Sequence, residues 1–164
     1  MDAPLQVMPV FELTLTDAQY RAIGHMIAQW AFLESEINSE IRWLLGRSEH
    51  RRKSVNFQSR FQNRTTDWIN LAKHTYGKRA DLFKAAQQIA GQSIKIKRER
   101  DDIAHGRLLG SGMYQCIREG RLVSISDGLA QAPKIENLAC RIAAINRRML
   151  KHQIALEKSF RKRP

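Results

Sequence analysis

Apolar residues recur at spacings of three and four through most of this chain, and that rhythm makes helices its main building material. From Tyr20, the series Ile23, Ile27, Trp30, Glu34, Ile37, Ile41 and Leu44 follows one helical face and stops at Gly46. Positions three and four apart share a face because the α-helix has 3.6 residues per turn. Leu82, Ala86, Ile89, Ser93, Ile96, Arg100 and Ile103 repeat the pattern before Gly106, and Ile135, Leu138, Ile142, Ile145, Met149, His152 and Leu156 repeat it after Pro133. A weaker stripe, Phe61, Trp68, Leu71 and Ala72, predicts a helix from near Phe57 to Gly77. Glycine follows three of these runs, where a C-terminal cap favours it, and Pro133 stands where a first helical turn tolerates it. Thr16, with Gln19 three residues on, forms a capping-box start for the first helix.

The period changes over residues 107–126. Met113–Ile117 and Leu122–Ile125 flank Arg118-Glu119-Gly120-Arg121, which predicts a hairpin with glycine at its turn. Residues 1–15 alternate loosely and predict an extended lead-in, and residues 47–54 form a polar basic loop. The expected fold is mainly α: an antiparallel four-helix bundle with a small β-hairpin inserted before the last helix, as one domain over residues 16–164. A chain of 164 residues is long enough to bury a core without staples.

Charge narrows the partners. Residues 1–46 hold two basic and six acidic residues, a net −4, whereas residues 47–164 hold 26 and 10, a net +16. A concentrated cationic excess attracts polyanions by steering and counterion release, so nucleic acid is the expected partner. No apolar run reaches the ~18 to 20 residues of a membrane span, so no membrane association is expected. The Met1-Asp2-Ala3-Pro4 start lacks the basic then apolar pattern of a secretory signal, which points to a cytoplasmic protein. Cys116 and Cys140 stand far apart without CxxC spacing and read as buried small hydrophobes in a reducing compartment. No cofactor and no metal site is expected.

Three ionisable residues fall in the apolar stripes: Glu34, Arg100 and His152. An unpaired buried charge costs several kcal/mol, so an inward Arg100 needs a carboxylate or a polyanion. Two registers remain open. Either Glu34 pairs with Arg100 across the bundle, or the stripe rotates to bring Leu33 inward and leaves Glu34 in solvent. Arg100 also precedes Asp101, Asp102 and His105. Five positions turn a continuing helix about 140° past a full circle, so Arg100 and His105 converge only if His105 lies at the helix end before Gly106. There the helix dipole favours its protonated form. A guanidinium forks onto phosphate oxygens and an imidazole exchanges protons near neutrality, the parts that phosphodiester chemistry needs.

The segment Arg100-Asp101-Asp102-Ile103-Ala104-His105, near the end of a helix in a helical chain, resembles the signature of the HEPN superfamily. The segment Trp30-Ala31-Phe32-Leu33-Glu34-Ser35-Glu36-Ile37-Asn38 is similar to one in bacterial members. Many members are metal-independent endoribonucleases of toxin–antitoxin and other defence systems, acting as homodimers that bring two motifs together. The resemblance implies that Arg100 and His105 are catalytic, that Asp101 orients them, and that an antitoxin protein is a partner. The chain departs from some toxin members in carrying Arg107, not Tyr, two positions after the histidine. On this reading a base removes the 2′-hydroxyl proton of RNA, a 2′,3′-cyclic phosphate forms, and Arg100 stabilises the growing phosphoryl charge. Glu34 and Asp102 support the site, and Lys95, Lys97, Arg98 and Arg107 are the candidate RNA contacts.

His50 and His74 read as solvated, His25 carries no signal, and His152 reads as a satisfied core or interface histidine. Trp30, Trp43 and Trp68 read as core anchors. The alternative to an enzyme is a non-catalytic basic helical dimer that binds nucleic acid or a protein partner.

Overall fold

Helix α1 (Asp17–Arg47) begins where the sequence places its cap. The Thr16 N–H donates to Gln19 Oε1 at 2.8 Å, and the Gln19 N–H donates to Thr16 Oγ1 at 3.3 Å. This reciprocal pair satisfies two of the donors that a helix start leaves open. The computed structural model describes residues 15–47, 55–77, 79–105, 107–108, 114–118, 121–125 and 131–161, with the strands and His105 described by their backbone. Of the expected lead-in, residues 1–14 lie outside this set. The chain is mainly helical, with α2 (Phe61–Thr75), α3 (Ala80–His105) and α4 (Ala132–Arg161) following α1. Between α3 and α4 run β1 (Arg107–Leu108), β2 (Tyr114–Arg118) and β3 (Arg121–Ile125), antiparallel in that order, with Cys116 opposite Val123 and Leu108 opposite Tyr114.

The stripes of α2, α3 and α4 sit inward at the positions their periodicity selects, from Phe61 and Trp68 through Leu82, Ile89 and Ile96 to Ile142, Met149 and Leu156. Helix α1 differs in its first half. Tyr20 and Ile27 are each 48% exposed, while Ala22, Met26 and Leu33 are buried. Neighbouring positions lie only about 100° apart on a helix, so two overlapping stripes were available. The one that reaches the core uses Met26 and Leu33, and it carries Glu40 inward with it.

The antiparallel arrangement expected for the bundle is corrected by the cross-helix pairs. Along α1 and α4 the partners rise together: His25 with Glu136, Gln29 with Asn146, Glu40 with His152. These two helices therefore run the same way. The same holds for α1 and α2, where Trp30 meets Phe61, Glu34 meets Arg64 and Glu40 meets Trp68. Helix α3 opposes α4, since Glu99 meets Arg141 and Gln92 meets Arg148. Chain length supplies the reason. Residues 48–60 span up to about 45 Å when extended, more than the roughly 26 Å from the end of α1 back to Trp30. A short link would have forced an antiparallel pair; a link of this length allows the parallel one.

The turn from α2 to α3 is tight. Tyr76 closes α2 with its N–H on the Ala72 carbonyl, and Gly77 takes a left-handed φ of +57°. Among the described residues no helix is long and apolar enough to cross a membrane.

Candidate functional site

Arg100 lies on the inward face of α3, between Ile96 and Ile103, where α3 passes α1. Its side chain is 16% exposed, and its Cζ lies 4.4 Å from the centroid of the Trp30 ring. A guanidinium over an indole face gains about 1 kcal/mol, more when water is kept out. Nη1 lies 2.8 Å from Asp101 Oδ1, and Nη2 lies 3.8 Å from Glu34 Oε1. Glu34, 29% exposed, has a closer partner in Arg64, whose Nη2 is 3.1 Å away. Both registers considered for α1 are thus partly realised: Leu33 turns inward, and Glu34 still reaches Arg100 from the flank. Asp101 is bound on its other oxygen by Lys97, one turn back along α3. Three cations therefore converge on two carboxylates, and the cluster keeps a net positive charge.

Arg64 is fixed independently of Glu34. Its Nη1 donates to the carbonyls of Phe57 and Ser59 at 3.1 and 2.8 Å, tying the segment before α2 to the helix itself. Three buried N–H donors around this cluster, Trp30 Nε1, Arg64 Nε and Arg100 Nε, have no acceptor among the described residues.

The other residues singled out in the sequence fall as follows. Cys140, expected to be buried, is instead exposed on α4. His105 is the last residue of α3, five positions after Arg100; its side chain lies outside the described residues. Arg107 stands in β1, described by backbone alone. Asp102 is buried, Lys95 and Arg98 are exposed on α3, and Lys97 is half-buried against Asp101. The structure therefore brings Arg100, Asp101, Glu34 and Lys97 together.

A second polar cluster lies deeper. Glu40 and His152, each 1% exposed, meet with His152 Nε2 3.0 Å from Glu40 Oε1. The same oxygen accepts from Trp68 Nε1 at 2.9 Å and from the Tyr76 hydroxyl, and that hydroxyl lies 3.1 Å from His152 Nε2. The acceptor role of Glu40 assigns the proton to Nε2 of His152. Burial, and after it the charge of Glu40, holds the Tyr76 phenol well above its ordinary range. This cluster ties α1, α2 and α4 together at the core; His152 is the core histidine that its register implies, though only its Nε2 has a partner among the described residues, and its buried Nδ1 has none.

Sequence reasoning did not single out Arg64 or Glu40, though each carried a signal. Arg64 stands three after Phe61 and four before Trp68, and Glu40 three after Ile37 and four before Leu44. That is the same inward spacing that drew notice to Arg100. Among the described residues no group of three His, Cys, Asp or Glu side chains is placed to hold a metal ion. Comparison with protein-family models, with curated proteins and with solved structures finds no match to this chain.

Proposed function

We propose that the chain is a metal-independent endoribonuclease of the HEPN type, a toxin or defence effector acting as a cytoplasmic homodimer, with an antitoxin protein as its natural partner. The observation that carries this reading is the placement of Arg100. It is stacked on Trp30, held by Asp101 and Glu34, and lies five residues before the histidine on which α3 ends. A guanidinium fixed on both sides costs little further ordering when a phosphate arrives, and it stabilises charge developing on the phosphoryl oxygens. His105 exchanges the proton of the 2′-hydroxyl, with Asp101 holding the arginine. Lys95, Lys97, Arg98 and Arg107 supply charge along the RNA. The net positive charge of the ion pairs around Arg100 favours an anionic ligand.

One observation favours the second reading, a basic helical module that binds nucleic acid or a protein without cleaving it. Arg100 already has carboxylate partners and an aromatic stack, as a purely structural arginine would. Chemistry separates the two. Purified full-length protein incubated with RNA in EDTA is expected to release fragments ending in 2′,3′-cyclic phosphate, and to leave DNA of the same sequence whole. Intact RNA at micromolar protein, or equal cutting of DNA, contradicts the enzyme reading.

A further inference from the structure

The seam between α3 and α4 holds two cavities that meet at Arg148. One, of about 270 Å³, is bordered by Lys95, Arg141 and Arg148. The other, of about 470 Å³, continues past Lys151 to His152 and Asp81. Together they follow α3 from Asp81 to Ile96, 15 positions and so roughly 22 Å along the helix.

Charge along this furrow is lopsided. Its flanking carboxylates are already neutralised. Glu99 holds the Arg141 guanidinium in a two-pronged pair at 2.7 and 2.9 Å. Asp81 is bound by Arg79, whose hydrogen bond keeps its carboxyl below the usual range. Lys95 and Lys151 are exposed and make no ion pair among the described residues. Among the described residues Arg148 donates only to the neutral amide of Gln92, at 2.8 Å. Three uncompensated cations thus border one groove, with Ile89, Ile96 and Ile145 beneath them. Cations from two helices facing across a groove suit a flexible chain of regularly repeated anions. The groove also leads toward Glu99, the residue before Arg100.

We infer that the α3–α4 furrow is a track for the backbone of a single RNA strand, leading it to the Arg100 end of α3. The inference rests on the ribonuclease reading for its choice of polyanion, and it adds Arg148 and Lys151, on α4, to the contacts. Arg141, bound to Glu99, forms the wall at that end.

The test is binding of a short, mixed-sequence, 2′-O-methylated RNA strand, which the proposed chemistry cannot cut, measured against salt concentration. In Lys95→Glu/Arg148→Glu/Lys151→Glu, affinity is expected to fall at least tenfold. The slope of log affinity against log salt is expected to shrink by about 2, since each lost phosphate contact on a single strand removes about 0.7. Arg21→Glu/Lys73→Glu/Lys158→Glu makes the same change of charge elsewhere and is expected to bind within threefold of wild type. Should the reversal lower the melting temperature, Lys95→Gln/Arg148→Gln/Lys151→Gln gives the same direction of effect. An unchanged slope, or equal loss in the control variant, overturns the track. So does loss of binding to poly-glutamate with RNA binding intact, which would make the furrow a seat for an acidic protein. Wild-type cleavage of unmodified RNA is read alongside. Cleavage without furrow dependence sinks the track alone, and furrow-dependent binding without cleavage sinks the ribonuclease alone.

Discussion

Glu40 carries more of the core's polar load than any other single residue described here. One of its oxygens accepts from Trp68, Tyr76 and His152. Glu40→Ala strands three buried donors, so it is expected to cost about 3–5 kcal/mol in urea unfolding. Tyr76→Phe removes one donor and is expected to cost about 1–2 kcal/mol. The phenol also gives the fold a defined alkaline limit. The folded state keeps the Tyr76 proton, whereas an unfolded tyrosine releases it near pH 10. The stabilisation is therefore whole below about pH 10 and declines as pH rises past it. Urea midpoints between pH 8 and 11 are expected to fall less steeply for Tyr76→Phe than for wild type; parallel curves contradict the assignment. At Arg100 the planar fork matters more than the charge. Arg100→Lys keeps the cation but loses the indole stack and the side-on grip of Asp101. It is expected to abolish cleavage almost as fully as Arg100→Ala. Glu34 retains Arg64 in either variant, so melting temperatures are expected to stay close to wild type.

Helix termini and helix registers were legible in the sequence to different degrees. Gly77 shows the first kind: an expected end of α2, it has the positive φ that only glycine adopts freely. No atom of the described residues beyond its chain neighbours lies within 4 Å of where a Cβ would stand, so Gly77→Ala tests backbone strain. It is expected to lower stability by about 1–2 kcal/mol; no loss would contradict the left-handed turn. The Thr16–Gln19 cap was equally plain, because a capping box is read from four consecutive residues. The register of α1 was not. Ile23 and Ile27 outrank Ala22 and Met26 by hydrophobicity, but the partners across the core, not residue type, decide which stripe is buried. That choice also hid Glu40, and the weak apolar pattern of α2 hid Arg64. Arg100 stood out because its whole stripe was regular. Glu34 was legible as one of two open registers, but Trp30 read only as a core anchor, and Arg64, which takes the nearer place on Glu34, comes from a helix whose path local spacing does not fix.

At the scale of the molecule, one long link changes the architecture. Phe61 at the start of α2 lies against Trp30 in α1, so α2 rises beside α1, α3 descends, and α4 rises again parallel to α1. That order packs α1 directly against α4 and sets α3 between α2 and α4, with the Arg100 cluster on one flank of α3 and the basic furrow on the other. The most direct measurement of the central claim is cleavage of a mixed RNA pool in EDTA by wild-type protein, His105→Ala and Arg100→Ala, each matched by its thermal melt. The account predicts fragments from wild type alone, with all three proteins folded. Undiminished cutting by a folded His105→Ala protein, or none by wild type, contradicts it.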